Sequence, residues 1–183
     1  MFRHHMPGGA ELRLMERRHA EEIYTVVDRN REYLRKWLPW VDKTHSPADT
    51  RAFIDSAIAQ FAATNGLAAG IWVRGRFAGA IGMHAVDWNH RASSIGYWID
   101  EAHQGRGLVT AACRAVLAYI FEDLKLNRVE IRAGVRNRKS RAIPERLGFR
   151  KEGVLRQAEW LGDRYTDLVV YSLLAGEWPA NLT

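Results

Sequence analysis

Two glycines set between an apolar strand and a long amphipathic helix make the stretch Tyr97-Trp98-Ile99-Asp100-Glu101-Ala102-His103-Gln104-Gly105-Arg106-Gly107-Leu108-Val109 a candidate anion site. Gly105 and Gly107 leave the backbone free to adopt positive φ and to approach a ligand closely. The helix that follows offers first-turn N–H groups without intrahelical partners, together with the positive end of its macrodipole. Arg106 adds a full charge. A phosphate suits such a turn. The segment has neither the three spaced glycines of the dinucleotide fingerprint nor the Lys-Ser or Lys-Thr pair that closes a P-loop, so it matches neither pattern.

The elements around the turn must position it. Apolar residues recur at Val109, Cys113, Val116, Ile120 and Leu124, which gives the helix one buried face against a sheet. Upstream, a short strand at Glu11 to Met15 leads to a helix from Arg17 to Asp28, and a second helical turn covers Glu32 to Leu38. Ser46, Pro47 and Asp49 mark another helix start. Phe53, Ala57, Ile58 and Phe61 form its expected apolar face, and Asn65-Gly66 its left-handed stop. Strands follow at Leu67 to Arg74, Arg76 to Val86 and Ser93 to Asp100, the first two joined by a tight hairpin at Arg74-Gly75-Arg76. After the glycine turn come a strand at Arg128 to Val135, a helix at Arg138 to Leu147 stopped by Gly148, and two long strands at Phe149 to Trp160 and Thr166 to Ala175. This order predicts a layered α/β (α+β) domain with a mixed sheet.

At 183 residues the chain suits one domain. Residues 1–9 lack hydrophobic periodicity and read as a flexible tail, leaving 10–183 as the domain. No run approaches the roughly 18 to 20 apolar residues of a membrane span, and no secretory signal opens the chain, so a cytoplasmic location is expected. The lone Cys113 forms no internal disulfide. A net charge of +6 favours polyanionic partners such as ribosomes or cofactor phosphates, but the basic residues are scattered and sequence-specific nucleic-acid binding is not expected. The histidines lack metal-ligand spacing, so no metal site is expected.

Gln104, Gly107 and Val109 occupy the places of the Gln/Arg-x-x-Gly-x-Gly/Ala pattern, and the segment resembles the pyrophosphate loop of the GNAT (GCN5-related N-acetyltransferase) family. The aliphatic Val109 fits its ribosomal-protein branch. Asn137-Arg138-Lys139-Ser140, the Gly148-Phe149 pair, Gln157-Ala158-Glu159-Trp160 and the Leu34 to Trp40 segment extend the resemblance to the RimJ/RimL-type enzymes across most of the chain. It implies the GNAT fold, a mixed and mostly antiparallel sheet with splayed central strands flanked by helices. The splayed pair would be Ser93 to Asp100 and Arg128 to Val135.

The resemblance further implies acetyl-CoA as donor and an amine as direct attacker. Its implied cofactor contacts are Trp98, Ile99 and Asp100, the turn from Gln104 through Gly105, Arg106, Gly107 and Leu108 to Val109, and Asn137. Glu159 takes the place of the base and Ser140 that of the acid that protonates the thiolate. Trp37 and Trp40, around the helix-breaking Pro39, would contact the acceptor. Each position also has a structural reading: Ser140 and Asn137 as helix caps, Glu159 as a solvent-facing strand residue, Trp37 and Trp40 as core. The acceptor that the resemblance implies is the N-terminal amine of a (ribosomal) protein; alternatives are a small amine (aminoglycoside, polyamine or amino acid) or a non-catalytic acyl-CoA-binding module. The long terminal strands offer a surface for a homodimer.

Overall fold

The computed structural model describes residues 3–178. Eight strands form one sheet in the order β1-β2-β3-β4-β5-β6-β8-β7: Arg3–Met6, Ala10–Leu14, Leu67–Val73, Arg76–Met83, Ala92–Ile99, Arg128–Gly134, Arg150–Trp160 and Tyr165–Leu174 number β1 to β8 in chain order. All neighbours run antiparallel except β5 and β6.

Side-chain alternation divides the core between the two faces of the sheet. On one face Ile81, Ile95, Ile131 and Tyr171 pack with Val109, Cys113, Val116 and Ile120 of α4 (Leu108–Ala118) and its π-turn extension Tyr119–Asp123. The predicted four-three-four spacing is thus the buried stripe, with Leu124 only partly covered. On the other face Trp72, Phe77 and Ala80 pack with Ile23, Val26 and Val27 of α1 (Ala20–Arg29) and Ile54 of α3 (Pro47–Ala62). A four-residue helix α2 (Arg31–Leu34) follows α1, and α5 (Arg138–Arg146) connects β6 to β7.

Three expectations need correction. Residues 3–6, expected to be part of a flexible tail, pair with β2 from Arg3↔Arg13 to Met6↔Ala10; their main-chain bonding needs no hydrophobic period. The helix after Asn30 ends at Leu34 and continues as turns through Pro39-Trp40. In α3 the buried side chains are Thr50, Ile54 and Ala57, whereas Phe53 is 54% and Ile58 46% exposed. That helix is rotated from the predicted phase, and its left-handed terminus is Thr64 at φ 51°.

β5 and β6 are in register only at Ala92↔Arg128, Ser93↔Val129 and Ser94↔Glu130, and then diverge. Beyond that point β5 is held by β4 alone, and β6 by β8 alone.

Candidate active site

The divergence exposes backbone. Asp100 N donates to Ala78 O at 2.7 Å and His84 N to Ser94 O at 2.9 Å, with Trp98 opposite Ala80 and Gly96 opposite Gly82 between them. Antiparallel alternation therefore turns the amides of Tyr97 and Ile99 away from β4 and toward the gap. On the other side Val135 N donates to Asp167 O at 3.0 Å, so by the same alternation the amides of Arg132 and Gly134 face the gap from β6.

At the end of β5 the chain enters the glycine turn. Gly105 and Gly107 both lie at φ 73°, and open space surrounds the position of a Cβ on either. Gly107 is the N-cap of α4 and supplies no side-chain cap; the first intrahelical acceptor is its own carbonyl, bonded by Ala111 N at 3.0 Å. The amides of Leu108, Val109 and Thr110 therefore lack intrahelical acceptors. The side chains of Leu108 and Val109 are buried, so these residues present backbone to a ligand. Arg106 is exposed, and Arg114, Lys139 and Arg146 line the same opening. Uncapped amides, a helix dipole and four cations form an anion cradle whose donor set fits a pyrophosphate.

Gln104 ties this turn to both flanks. Its Nε2 donates to Tyr33 Oη of α2, and its Oε1 accepts from Lys139 Nζ of α5 at 2.6 Å. Asp100 departs from its expected role. Its side chain is 4% exposed, its Oδ2 pairs with Arg29 and, at 3.0 Å, with His103 Nδ1, and its amide belongs to the β4 ladder. Burial pushes the Asp100 carboxyl up, but bonds from Asn30, His103, Arg29 and the Ala102 amide outweigh it and hold the group below its ordinary range. Asp100 braces the turn rather than lining the cleft. Trp98 also turns its indole to the far face, 5.6 Å from Phe77 and 6.0 Å from Trp40 between ring centroids.

A continuous cavity of 1980 Å³ joins the cradle, the gap and the opposite face. Asn137, Ser140, Trp37, Trp40 and Glu159 all line it, so the residues that the sequence singled out converge. Asn137 Oδ1 accepts from Ser140 N at 3.1 Å, a cap that opens α5. Tyr97 Oη donates to the Ser140 carbonyl at 3.0 Å and lies 3.4 Å from Ser140 Oγ. Burial raises the Tyr97 phenol far above its ordinary range, so it stays protonated. The sequence signal for Tyr97 is its place two residues before Ile99, on the same strand face.

Glu159 owes its position to an irregularity. Between the pairs Leu155↔Leu168 and Glu159↔Thr166, β7 places three residues opposite the single Asp167. Gln157 turns left-handed there at φ 49°, its amide bonded to Asp167 Oδ1 at 2.7 Å. Glu159 is half-buried in the cavity wall, and burial alone pushes its carboxyl above the usual carboxylate range. No side chain among the described residues is bonded to it. An unpaired carboxylate of this kind can take a proton from a group entering the cleft.

Residues 10–150 match the model of the acetyltransferase (GNAT) domain family. The chain belongs to the GNAT acetyltransferase family. YdaF of Bacillus subtilis (strain 168) is 43% identical over 169 residues, spanning 91% of this chain and 92% of YdaF. The ribosomal-protein-serine acetyltransferase of Escherichia coli (strain K12) is 29% identical over 162 residues, 88% of this chain and 90% of that enzyme. Among solved structures, RimL, a ribosomal L7/L12 alpha-N-protein acetyltransferase in complex with coenzyme A, superposes with a TM-score of 0.88 at 27% identity, covering 92% of this chain and 96% of RimL. The splayed sheet and the glycine turn before α4 are thus features of a GNAT N-acetyltransferase, as the sequence motifs implied. Among the described residues no group of His, Cys, Asp and Glu is arranged to hold a metal, and no helix is long and apolar enough to cross a membrane.

Proposed function

We propose that this enzyme transfers the acetyl group of acetyl-CoA to the N-terminal amine of a polypeptide, with ribosomal proteins as the acceptor class. The observation that carries this reading is the single cavity running from the anion cradle through the β5/β6 gap to Glu159. The ribosomal acceptors named for the Escherichia coli enzyme and for RimL support the acceptor class. The same reading places the enzyme in the cytoplasm. A homodimer would use the outer edge of β7, which the strand order leaves unpaired and where Val154 and Leu155 are exposed.

Acetyl-CoA supplies an activated thioester carbonyl. The cradle of first-turn amides with Arg106 holds its pyrophosphate, and the open backbone of Tyr97, Ile99, Arg132 and Gly134 borders the arm that reaches through the gap. The Ile99 amide faces the place where negative charge develops on the thioester oxygen. A peptide α-amine has a reference pKa of about 7.7 to 8.0, so Glu159 has only a modest proton excess to remove, directly or through water. The C–N bond then forms as the C–S bond breaks. Glu159 takes the first amine proton before attack and passes it to solvent; Ser140 Oγ gives its proton to the departing thiolate, and the second proton, on the newly acylated nitrogen, leaves to solvent as solvent returns one to Ser140, so that amide and thiol are released with both side chains restored.

Acetyl transfer from labelled acetyl-CoA to N-terminal peptides and to small amines tests this. Transfer to peptides, lost in Glu159→Gln, is the expected result. Transfer to an aminoglycoside or polyamine in preference to every peptide would replace the acceptor class, and tight coenzyme A binding without transfer would remove the catalytic reading.

A further inference from the structure

On the face opposite α4, the floor of the cleft along β4 and β5 is built from small residues. Ala80, Gly82 and Gly96 leave a shallow channel that continues from Trp98 toward Ser94, and Phe53 of α3 borders the same cavity while remaining 54% exposed. Phe53 thus borders the cleft instead of the core, whereas Ile58 and Phe61 of the expected face are exposed away from it. The polar side chains of His84 and Ser94 stand together in the channel. His84 is exposed and lines the cavity, with its Nδ1 2.8 Å from Ser94 Oγ. A Cβ on Gly96 would lie 3.0 Å from both Cε1 and Nε2 of that ring, so the imidazole rests directly on the glycine. With Nδ1 engaged by Ser94, Nε2 has no partner among the described residues.

The geometry points to His84 as a specificity residue for the acceptor, reading a polar group on about the third residue of an extended polypeptide whose N-terminal amine lies at the gap. This rests on the polypeptide-acceptor reading above. The distance argument uses strand geometry: from Ile99, where the amide faces the gap, to Gly96, where the ring sits, is three residues of β5, or about 10 Å. An extended acceptor lying along the channel covers that length with about three residues. Continuity of the channel with the catalytic cavity makes an acceptor segment its occupant. Side chains larger than Gly and Ala on this floor would fill the space that such a segment needs. Nε2 can meet the acceptor as donor or acceptor, according to the tautomer that the bond of Nδ1 to Ser94 selects.

The test compares kcat/KM for serine amide and for serine-initiated di-, tri- and tetrapeptide amides, with Ala or Asn at the third position, on wild type, His84→Ala, His84→Gln and Gly96→Val. For wild type the expected gain on lengthening from two to three residues with Asn is about five- to tenfold, the size of one hydrogen bond made in a desolvated cleft. His84→Ala should bring that gain close to onefold, and His84→Gln should restore part of it. Gly96→Val, which pushes the ring off its seat, should resemble His84→Ala. Coenzyme A affinity, read by calorimetry on each variant, reports that the donor side is intact. A wild-type length gain that survives unchanged in His84→Ala and Gly96→Val overturns the assignment while leaving the polypeptide acceptor in place. If no peptide of any length is acetylated but a small amine is, the acceptor reading falls and this inference falls with it.

Discussion

The phenolic oxygen of Tyr97 on β5 donates 3.0 Å to the main-chain carbonyl of Ser140 and sits 3.4 Å from the Ser140 hydroxyl. It bridges the two elements that the splayed strands separate, and it fixes the first turn of α5, whose N-cap Asn137 holds the Ser140 amide. Burial pushes the phenol further up from its ordinary range, which favours the protonated, donating form.

Tyr97→Phe should therefore lower kcat by about tenfold with little change in donor KM, and cost about 1 kcal/mol of stability through the lost hydrogen bond. Ser140→Ala should lower kcat by about 10²-fold. In the double variant the effects should fall short of multiplying, since the two residues act as one unit. Steady-state kinetics on the four proteins give the answer; fully multiplicative losses would separate them.

Glu159→Gln should reduce kcat/KM by about 10²-fold or more. In wild type the acid limb of the pH–rate profile should sit above the ordinary carboxylate range, because burial raises the group. The stability sign is opposite to that of a paired acid. A folded pKa above the unfolded one favours the protonated fold, so stability declines as pH rises from the unfolded value through the folded one. At neutral pH the glutamine variant should then melt higher than wild type while being nearly inactive, which a thermal scan measures.

Asp100→Asn tests the brace beneath the turn. The carboxylate pairs with Arg29 and His103, and its folded pKa is depressed, so its contribution is present above the unfolded pKa and is lost as pH falls through the folded one. The variant should lose about 2 kcal/mol at pH 7 by urea unfolding, the range for a hydrogen bond to a charged group. The gap from wild type should close as pH falls below the carboxylate range.

Gly107→Val should weaken coenzyme A binding strongly while the protein stays folded. Its φ of 73° is costly for a β-branched residue, by about 1 to 2 kcal/mol, but nothing lies near the new Cβ. Calorimetric titration and a far-ultraviolet spectrum separate lost binding from lost fold.

How much of this was readable in the sequence depends on range. The glycine turn, the α4 stripe and the helix stop at Gly148, which adopts φ 81°, are local patterns and were legible as such. The convergence of Glu159, Ser140 and Trp37 came from the resemblance, since nothing in local spacing brings β7, α5 and the post-α2 turn together. The excursion at Gln157 breaks strand periodicity and left the direction of Glu159 open. The bracing role of Asp100 is not legible locally because its partner Arg29 lies 71 residues away in the chain, and Asn30 beside it holds the next amide, that of Glu101. In α3 Phe53 borders the cleft, and an apolar residue facing a cleft looks, in a sequence, like one facing a core.

The three paired rungs from Ala92↔Arg128 to Ser94↔Glu130 have a mechanical meaning. They are the only main-chain ladder between a five-stranded and a three-stranded half-sheet among the described residues, and so act as a fulcrum. From Ser94 to Ile99 the free arm is about 16 Å long, so a turn of about 4° at the rungs moves the mouth of the gap by about 1 Å. Ser93 and Val129, which form one of the rungs, are both buried at this closed end. A small tilt at the closed end is thus geometrically amplified at the open one.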